Sequence, residues 1–209
     1  MASTMIHIAV ANELNKKMNF DKSRLLLGSI APDISKLIGE DKVKSHFLDS
    51  TENNIPNIRK FLEKYKDKMD NAFVMGYFIH LYTDYLWFKY FLTEFYSEPM
   101  ITKIDGNVVK CNGEMFLLYV YNDYTNLNLK LLDEYNLDLK IFYNEIPYIE
   151  NIIDEIPLEK LDLIVNSCAN IISKSKERKE FVFNIDNVKK FIDFSVELIM
   201  AKISELGIC

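Results

Sequence analysis

Apolar residues recur at helical spacing along almost the whole chain, and this pattern predicts a mainly α-helical fold. Near the start, Ile6, Val10 and Leu14 recur every four residues, as on one face of a helix. Residues 69–95 form a stretch without proline that is apolar on most faces, which is typical of a helix in the middle of a protein. The same spacing predicts further helices over 56–68, 113–135, 157–175 and 184–206.

Two stretches depart from this helical spacing. Residues 22–54 contain one proline and two glycines and turn polar towards their end, which indicates irregular chain with short helical pieces. Residues 100–111 alternate between apolar and polar positions around Asp105-Gly106, a strong hairpin signal. We therefore expect an all-α, multi-helix bundle with a small β-hairpin insertion near residues 100–111, folded as a single domain over 1–209.

Composition and charge exclude several classes of protein. With 25 Lys and Arg against 31 Asp and Glu, the net charge is −6 and no basic block offers a surface for duplex nucleic acid. No apolar run approaches the ~20 residues that span a bilayer, and the first residues lack a basic leader, so we expect a cytoplasmic protein without stable membrane anchoring. Cys111, Cys168 and Cys209 are far apart and form no CxxC, which predicts reduced, partly buried thiols.

The three histidines, His7, His46 and His80, all lie within the first 80 residues and in apolar surroundings. His80 and Asp84 are four residues apart in the long predicted helix, so both side chains lie on one face and can reach one ion. Imidazole and carboxylate are the usual ligands of zinc and related divalent ions. The alternative for this pair is a buried histidine that is hydrogen-bonded to an aspartate.

Each of the other candidate residues also has a structural interpretation. His7 lies on an apolar helix face, where a histidine is more often a core residue than a ligand. Asp33 follows a sharply turning apolar segment and either caps the next helix or delivers a carboxylate into a site. His46 lies in the segment KSHFLD, which is predicted as a loop, and the alternative there is an exposed histidine.

The order of these residues resembles the zinc-dependent phospholipase C family, to which the S1/P1 nucleases are structurally related. The matching segments are STMIHIAVANEL, LLGSIAPDI, KSHFLD and GYFIHLYTDYLW, within about the first 90 residues. The resemblance implies an all-α bundle whose active site is a cluster of zinc ions, here in a cytoplasmic, bacterial-type member.

Residue by residue, the resemblance implies that Asp33, His46, His80 and Asp84 hold one metal ion. His7 would share Asp84 with a second ion, which makes Asp84 a bridging carboxylate. Paired metals recur in enzymes that hydrolyse phosphoesters. We therefore expect these five side chains to converge on one pocket from four separate segments.

Two catalytic roles accompany this ligand set. Asp33 can orient or deprotonate the attacking water if its second oxygen faces the cavity. Asp49, three residues after His46, either fixes the His46 imidazole from behind or is simply solvated.

Departures from the family limit the number of zinc ions. Secreted members use an N-terminal Trp as a ligand where this sequence has Met1, and they need a further histidine that is missing here. One or two ions, of zinc or another divalent metal, are therefore expected. Tyr90 and Asp123 occupy roughly the places of the missing ligands, although Asp123 is more typical of a solvated helix position. Trp87 and its neighbouring tyrosines either line a substrate mouth or pack in the core.

The leading prediction is a metal-dependent hydrolase that acts on a small-molecule phosphoester. The alternative is a non-catalytic or degenerate metal-binding helical protein. An HD-type phosphohydrolase needs an adjacent His-Asp pair, and a carboxylate-bridged di-iron bundle needs Glu-x-x-His; the sequence contains neither. The sequence does not predict an oligomeric state.

Overall fold

The computed structural model describes residues 1–138 and 146–208, so Cys209 lies outside the described residues. The predicted all-α class with a small β insertion is confirmed. Within the described residues there are seven α-helices of seven residues or more and one single turn. They are α1 (Thr4–Met18), α2 (Lys22–Gly28), α3 (Ile34–Leu37), α4 (Ile58–Tyr65), α5 (Ala72–Leu86), α6 (Gly113–Glu134), α7 (Leu161–Lys174) and α8 (Ile185–Glu205).

The β insertion is a three-stranded antiparallel sheet, one strand more than the predicted hairpin. It comprises β1 (Tyr96–Ser97), β2 (Met100–Thr102) and β3 (Val108–Lys110) in that order. Ile101 of β2 is fully buried and lies opposite a residue of each neighbouring strand. The extra strand forms because the chain leaving the long central helix pairs with the hairpin.

Helix α5 lies in the middle of the protein, as its pattern predicts. Nearly all its side chains are buried, and Asn71 caps its N-terminus by accepting from the backbone N–H groups of Phe73 and Val74. The predicted helix over 69–95 is shorter than expected, because the chain after Leu86 continues as a π turn and then a 3₁₀ turn.

Helices α2 and α5 cross with their backbones in contact, which two glycines allow. A Cβ atom on Gly76 would lie 2.1 Å from the Leu25 carbonyl oxygen, and one on Gly28 would lie 2.2 Å from the Phe73 carbonyl oxygen. No other residue fits at either position without moving a helix. Gly76 therefore makes room for another segment. Gly28 is the last residue of the short helix α2, in agreement with the short helical pieces expected over 22–54.

The second half of the chain packs around this centre. Helix α8 begins with a capping box at Asn184 and packs against α1. Cys111 and Cys168 are buried free thiols. Among the described helices, none combines the length and apolar character that crossing a membrane requires.

Candidate metal centre

Helix α5 carries the central pair of the site, His80 and Asp84. Both side chains are fully buried, and Nε2 of His80 lies 3.6 Å from Oδ2 of Asp84. The four-residue spacing places the two groups on one helix face, as expected. Asp84 Oδ2 accepts no hydrogen bond, although it is buried.

The crossing of α2 and α5 fixes the orientation of His80. Nδ1 of His80 lies 2.8 Å from the backbone carbonyl oxygen of Ser29, the residue that follows α2. A carbonyl oxygen only accepts hydrogen bonds, so Nδ1 carries the proton and donates it. In the neutral ring, Nε2 is then an unprotonated lone pair that faces the site.

A chain of hydroxyl groups fixes His46 in the same way. Ser35 Oγ donates to the Pro32 carbonyl oxygen at 3.3 Å, and Ser45 Oγ donates to Ser35 Oγ at 3.1 Å. Ser45 Oγ, which lies 2.9 Å from His46 Nδ1, therefore accepts from that nitrogen. Nε2 of neutral His46 is thus also an unprotonated lone pair.

The segment around His46 is buried, because Phe47 anchors it. Phe47 has a left-handed backbone (φ 53°), which costs an L-residue about 1–2 kcal/mol. Its ring packs edge-on against Phe61, Tyr65 and Tyr77, and this burial offsets that cost. His46 is only 1% exposed, so the exposed-histidine alternative is wrong.

Four acceptor atoms converge with no donor among them. The Nε2 atoms of His46 and His80 are 3.2 Å apart. His46 Nε2 also lies 3.6 Å from Asp33 Oδ1 and 3.8 Å from Asp84 Oδ2. Neither of these carboxylate oxygens has a hydrogen-bond partner. Lone pairs held this close repel one another unless a cation lies between them.

The spacing of these atoms suits a tetrahedral ion. Ligand atoms at ~2.0–2.2 Å from zinc lie roughly 3.3–3.6 Å from one another. The separations of 3.2, 3.6, 3.6 and 3.8 Å lie around this range. Among the described residues, two groups of side chains could each hold an ion: Asp33 with His46 and His80, and His7 with His80 and Asp84. The two groups share His80, and Asp84 Oδ2 also lies within 3.8 Å of both His46 and His80. The residues present therefore fit zinc in their chemistry and in these separations.

Asp33 reaches the site from the turn between α2 and α3. Its side chain makes no capping hydrogen bond to α3, so the capping interpretation is wrong. Burial alone raises the pKa of Asp33, but His46 and His80 bring that pKa well below its usual range. The Asp33 side chain keeps 11% of its surface exposed, whereas the other four candidate ligands are almost completely buried.

His7 lies next to the other carboxylate oxygen of Asp84. Its ring stacks on that of His80, with centroids 3.8 Å apart, and its Nε2 lies 3.4 Å from Asp84 Oδ1. Neither nitrogen of His7 has a hydrogen-bond partner, although the residue is fully buried. Ala2 donates its backbone N–H to the same Oδ1 at 2.8 Å. Asp84 thus presents one oxygen to His7 and the other to His46 and His80.

The surroundings set the charge of these groups in a way that suits metal binding. Burial lowers the pKa of His80 to about 3, His7 adds to this effect, and the carboxylates oppose it. Burial acts to raise the pKa of Asp84, but the neighbouring His7 holds it well below the usual range. His80 is therefore neutral and Asp84 ionised near pH 7, the forms in which each binds a metal.

The centre opens to the outside through Asp33. A pocket of about 280 Å³ lies beside this residue, between the start of α1, helix α6 and helix α7. A larger groove of about 790 Å³, lined in part by Tyr82 and Tyr85, includes none of the five candidate ligands. Of these two cavities, the smaller pocket is the one that reaches a candidate ligand, Asp33.

Asp49 has a different role from the positioning function considered for it. The Nδ1 atom of His46 is held by Ser45, whereas Asp49 is exposed and forms a 2.7 Å ion pair with Lys60. Asp49 also accepts a 2.9 Å hydrogen bond from Asn57. Asp49 is therefore solvated in the structure, and these contacts give no support to a catalytic role, which stays a prediction.

The residues considered as replacements for the missing ligands also lie elsewhere. Asp123 is fully buried, which corrects the solvated interpretation, but its oxygens accept from the backbone N–H groups of residues 181–183 at 2.7 to 3.2 Å. Tyr90 packs edge-on against Phe194, and Trp87 is a fully buried core residue. Among the described residues, the potential metal-binding groups do not include Asp123.

Sequence reasoning missed the groups that orient the ligands. These groups are the Ser45 hydroxyl, the Ser29 carbonyl and the Ala2 N–H. Backbone groups carry no side-chain signal in a sequence. Ser45, by contrast, directly precedes His46 in the sequence, and this adjacency is a signal that could have identified its hydroxyl as the partner of the imidazole.

Comparison with known proteins agrees with this centre. Residues 4–102 match the family model described as zinc dependent phospholipase C, which is just under half of the chain. All five candidate ligands lie within the matched residues, so this part of the chain is similar to a family of zinc-dependent hydrolases. No match was found among curated proteins or among solved structures. The relation to S1/P1 nucleases and the cytoplasmic, bacterial-type origin stay predictions.

Proposed function

We propose that this protein is a zinc-dependent hydrolase of a small phosphoester. One observation carries the proposal: four buried acceptors converge without a donor, at spacings that suit one tetrahedral ion, beside an open pocket. The match to the zinc-dependent phospholipase C family supports the same metal and the same class of reaction.

We further propose that the centre is dinuclear. Asp33, His46, His80 and Asp84 would hold one zinc ion, and His7 with the other oxygen of Asp84 would contribute to a second. The support is the arrangement of Asp84, whose Oδ1 lies 3.4 Å from His7 and whose Oδ2 faces His46 and His80. A carboxylate between two cations reduces their mutual repulsion.

Bound zinc would supply Lewis-acid activation of the phosphoryl group and of water near neutral pH. Asp33 lies where the centre meets the pocket, so its carboxylate accepts a hydrogen bond from the attacking water, orients it and takes up its proton. The water oxygen bonds to phosphorus as the bond from phosphorus to the alcohol oxygen breaks. The alcohol oxygen takes up a proton from solvent water as it leaves, and Asp33 then releases its proton to solvent, which returns the carboxylate to its starting form.

A lipid phosphoester is the second candidate substrate, and exposed apolar residues on α6 favour it. Leu117, Leu118 and Tyr121 are 51, 64 and 53% exposed, and Tyr121 also lines the pocket. Apolar side chains next to a pocket can contact acyl chains. The small volume of the pocket and the acidic net charge favour the soluble phosphoester.

The deciding experiment compares zinc-loaded and chelator-treated protein on a panel of substrates at ~0.15 M ionic strength. The panel contains phosphomonoesters, phosphodiesters, phosphocholine esters, single-stranded DNA and liposomes. We expect hydrolysis of soluble phosphoesters that is lost on chelation and restored by zinc. Activity confined to liposomes would overturn the soluble substrate in favour of the lipid. Tight metal binding without activity on any substrate would favour the non-catalytic metal-binding protein.

A further inference from the structure

The pocket beside Asp33 contains a buried hydrogen-bond acceptor without a donor. Asn128 of α6 lines this pocket and is only 3% exposed, and its Oδ1 has no hydrogen-bond partner. A buried acceptor that is left unpaired destabilises the folded protein, because it has lost its hydrogen bonds to water. An arrangement of this kind is favourable when a ligand supplies the missing donor.

The neighbouring serine shows that the free atom is the amide oxygen rather than the amide nitrogen. Ser175 Oγ donates its proton to the Ile171 carbonyl oxygen at 2.9 Å. It can therefore only accept from Asn128, whose Nδ2 lies 3.2 Å away. The amide nitrogen is thus used within the protein, and Oδ1 is the amide atom that has no partner.

The same pocket is lined by two lysines, Lys36 of α3 and Lys174 at the end of α7. Both are exposed, and the ion pairs among the described residues include neither of them. Two unpaired cations beside the opening are notable in a chain with a net charge of −6. They favour an anionic ligand that carries more charge than the metal centre alone neutralises.

From these groups we infer that the pocket selects a phosphomonoester whose alcohol part carries a hydroxyl group. Lys36 and Lys174 bind the non-reacting oxygens of the phosphate, and Asn128 Oδ1 accepts from the hydroxyl. A phosphomonoester carries a charge of about −1.5 to −2 near pH 7. A phosphodiester has a single ionised oxygen and carries a charge of about −1, so the monoester gains more from two lysines. This inference rests on the proposed function and specifies its substrate class.

The test uses binding, so that it does not depend on hydrolysis. The probes are 3,4-dihydroxybutylphosphonate and butylphosphonate, two non-hydrolysable analogues that differ only in the hydroxyl groups. Calorimetric titration of the zinc-loaded protein should give about tenfold tighter binding of the dihydroxy compound, which is the usual gain from pairing a buried acceptor. If the wild-type protein binds the two probes with equal affinity, or binds neither, the inference is overturned.

Two substitutions separate recognition by Asn128 from a structural role. Asn128→Leu should reduce the preference for the dihydroxy probe to less than twofold. Ser175→Ala removes the partner of Nδ2 but leaves Oδ1 unchanged, so the preference should persist. A preference that survives Asn128→Leu, in protein whose circular dichroism is unchanged, would contradict the assignment.

Two further substitutions test Lys174. Lys174→Ala should weaken binding of both phosphonates about tenfold, whereas Lys174→Arg should retain most of the affinity. Unchanged affinity in Lys174→Ala would remove this residue from the pocket's function. If the dihydroxy preference is present but no ester is hydrolysed, the pocket assignment stands and the proposed hydrolase activity fails.

Discussion

Two fully buried aspartates, Asp84 on α5 and Asp123 on α6, show how different surroundings give one residue type two different roles. Asp123 accepts three backbone N–H groups from residues 181–183 and ties that segment to α6. Asp84 accepts a single N–H through Oδ1, and its Oδ2 faces two unprotonated imidazole nitrogens without any donor. A saturated carboxylate of this kind is structural, and an unsatisfied one among other acceptors indicates a cation site.

The largest expected effect is on metal binding by Asp84→Asn. An amide supplies one weak neutral oxygen where the carboxylate supplies two charged ones, so zinc affinity should fall at least ~100-fold. If Asp84 bridges two ions, both are lost, whereas His7→Ala loses mainly one. Elemental analysis of the purified variants measures both outcomes. Equal losses in the two variants would argue against a bridge.

Gly76→Ala tests the helix crossing that orients His80 beside Asp84. The added methyl group would meet the Leu25 carbonyl oxygen, so α2 and α5 must separate, and we expect the free energy of unfolding to fall by about 3 kcal/mol. Urea denaturation measures this change. Gly113→Ala is the matched control, since its Cβ would meet only the Tyr96 hydroxyl at 3.8 Å. Similar stability of the two variants would contradict the close crossing.

Asp123→Asn should lower stability by about 1–3 kcal/mol without changing zinc affinity. The amide nitrogen cannot accept a hydrogen bond, so at least one backbone N–H of residues 181–183 is left buried without a partner. Urea denaturation and zinc titration of the same preparation check both parts. Asp133→Asn, at an exposed position of the same helix, should stay within ±0.5 kcal/mol of the wild type. Weaker zinc binding in Asp123→Asn would break the contrast with Asp84.

Ser45→Ala gives the smallest effect. Without the hydroxyl, Nδ1 of His46 loses the acceptor that fixes its orientation, and zinc affinity should fall about tenfold. Competition with a chelator of known affinity measures the change. Asp49→Asn is the control and should leave zinc affinity unchanged. The opposite result would restore Asp49 as the residue that positions His46.

The sequence predicts part of this centre directly and part only through resemblance. The spacing of His80 and Asp84 is sufficient to place both on one helix face. Asp33, His46 and His7 come from other segments, and their convergence depends on helix crossings that no local pattern encodes. Asp123 was misinterpreted for the same reason, because its partners are backbone amides 58 to 60 residues away.

The central claim is that His46 and His80, with Asp33 and Asp84, hold a metal ion. Anomalous diffraction at the zinc edge from crystals of the zinc-loaded protein tests it most directly. We expect a peak ~2.0–2.2 Å from Nε2 of both histidines and from an oxygen of each aspartate. The absence of a peak at this position, or a peak that lies only at surface residues, would contradict the claim.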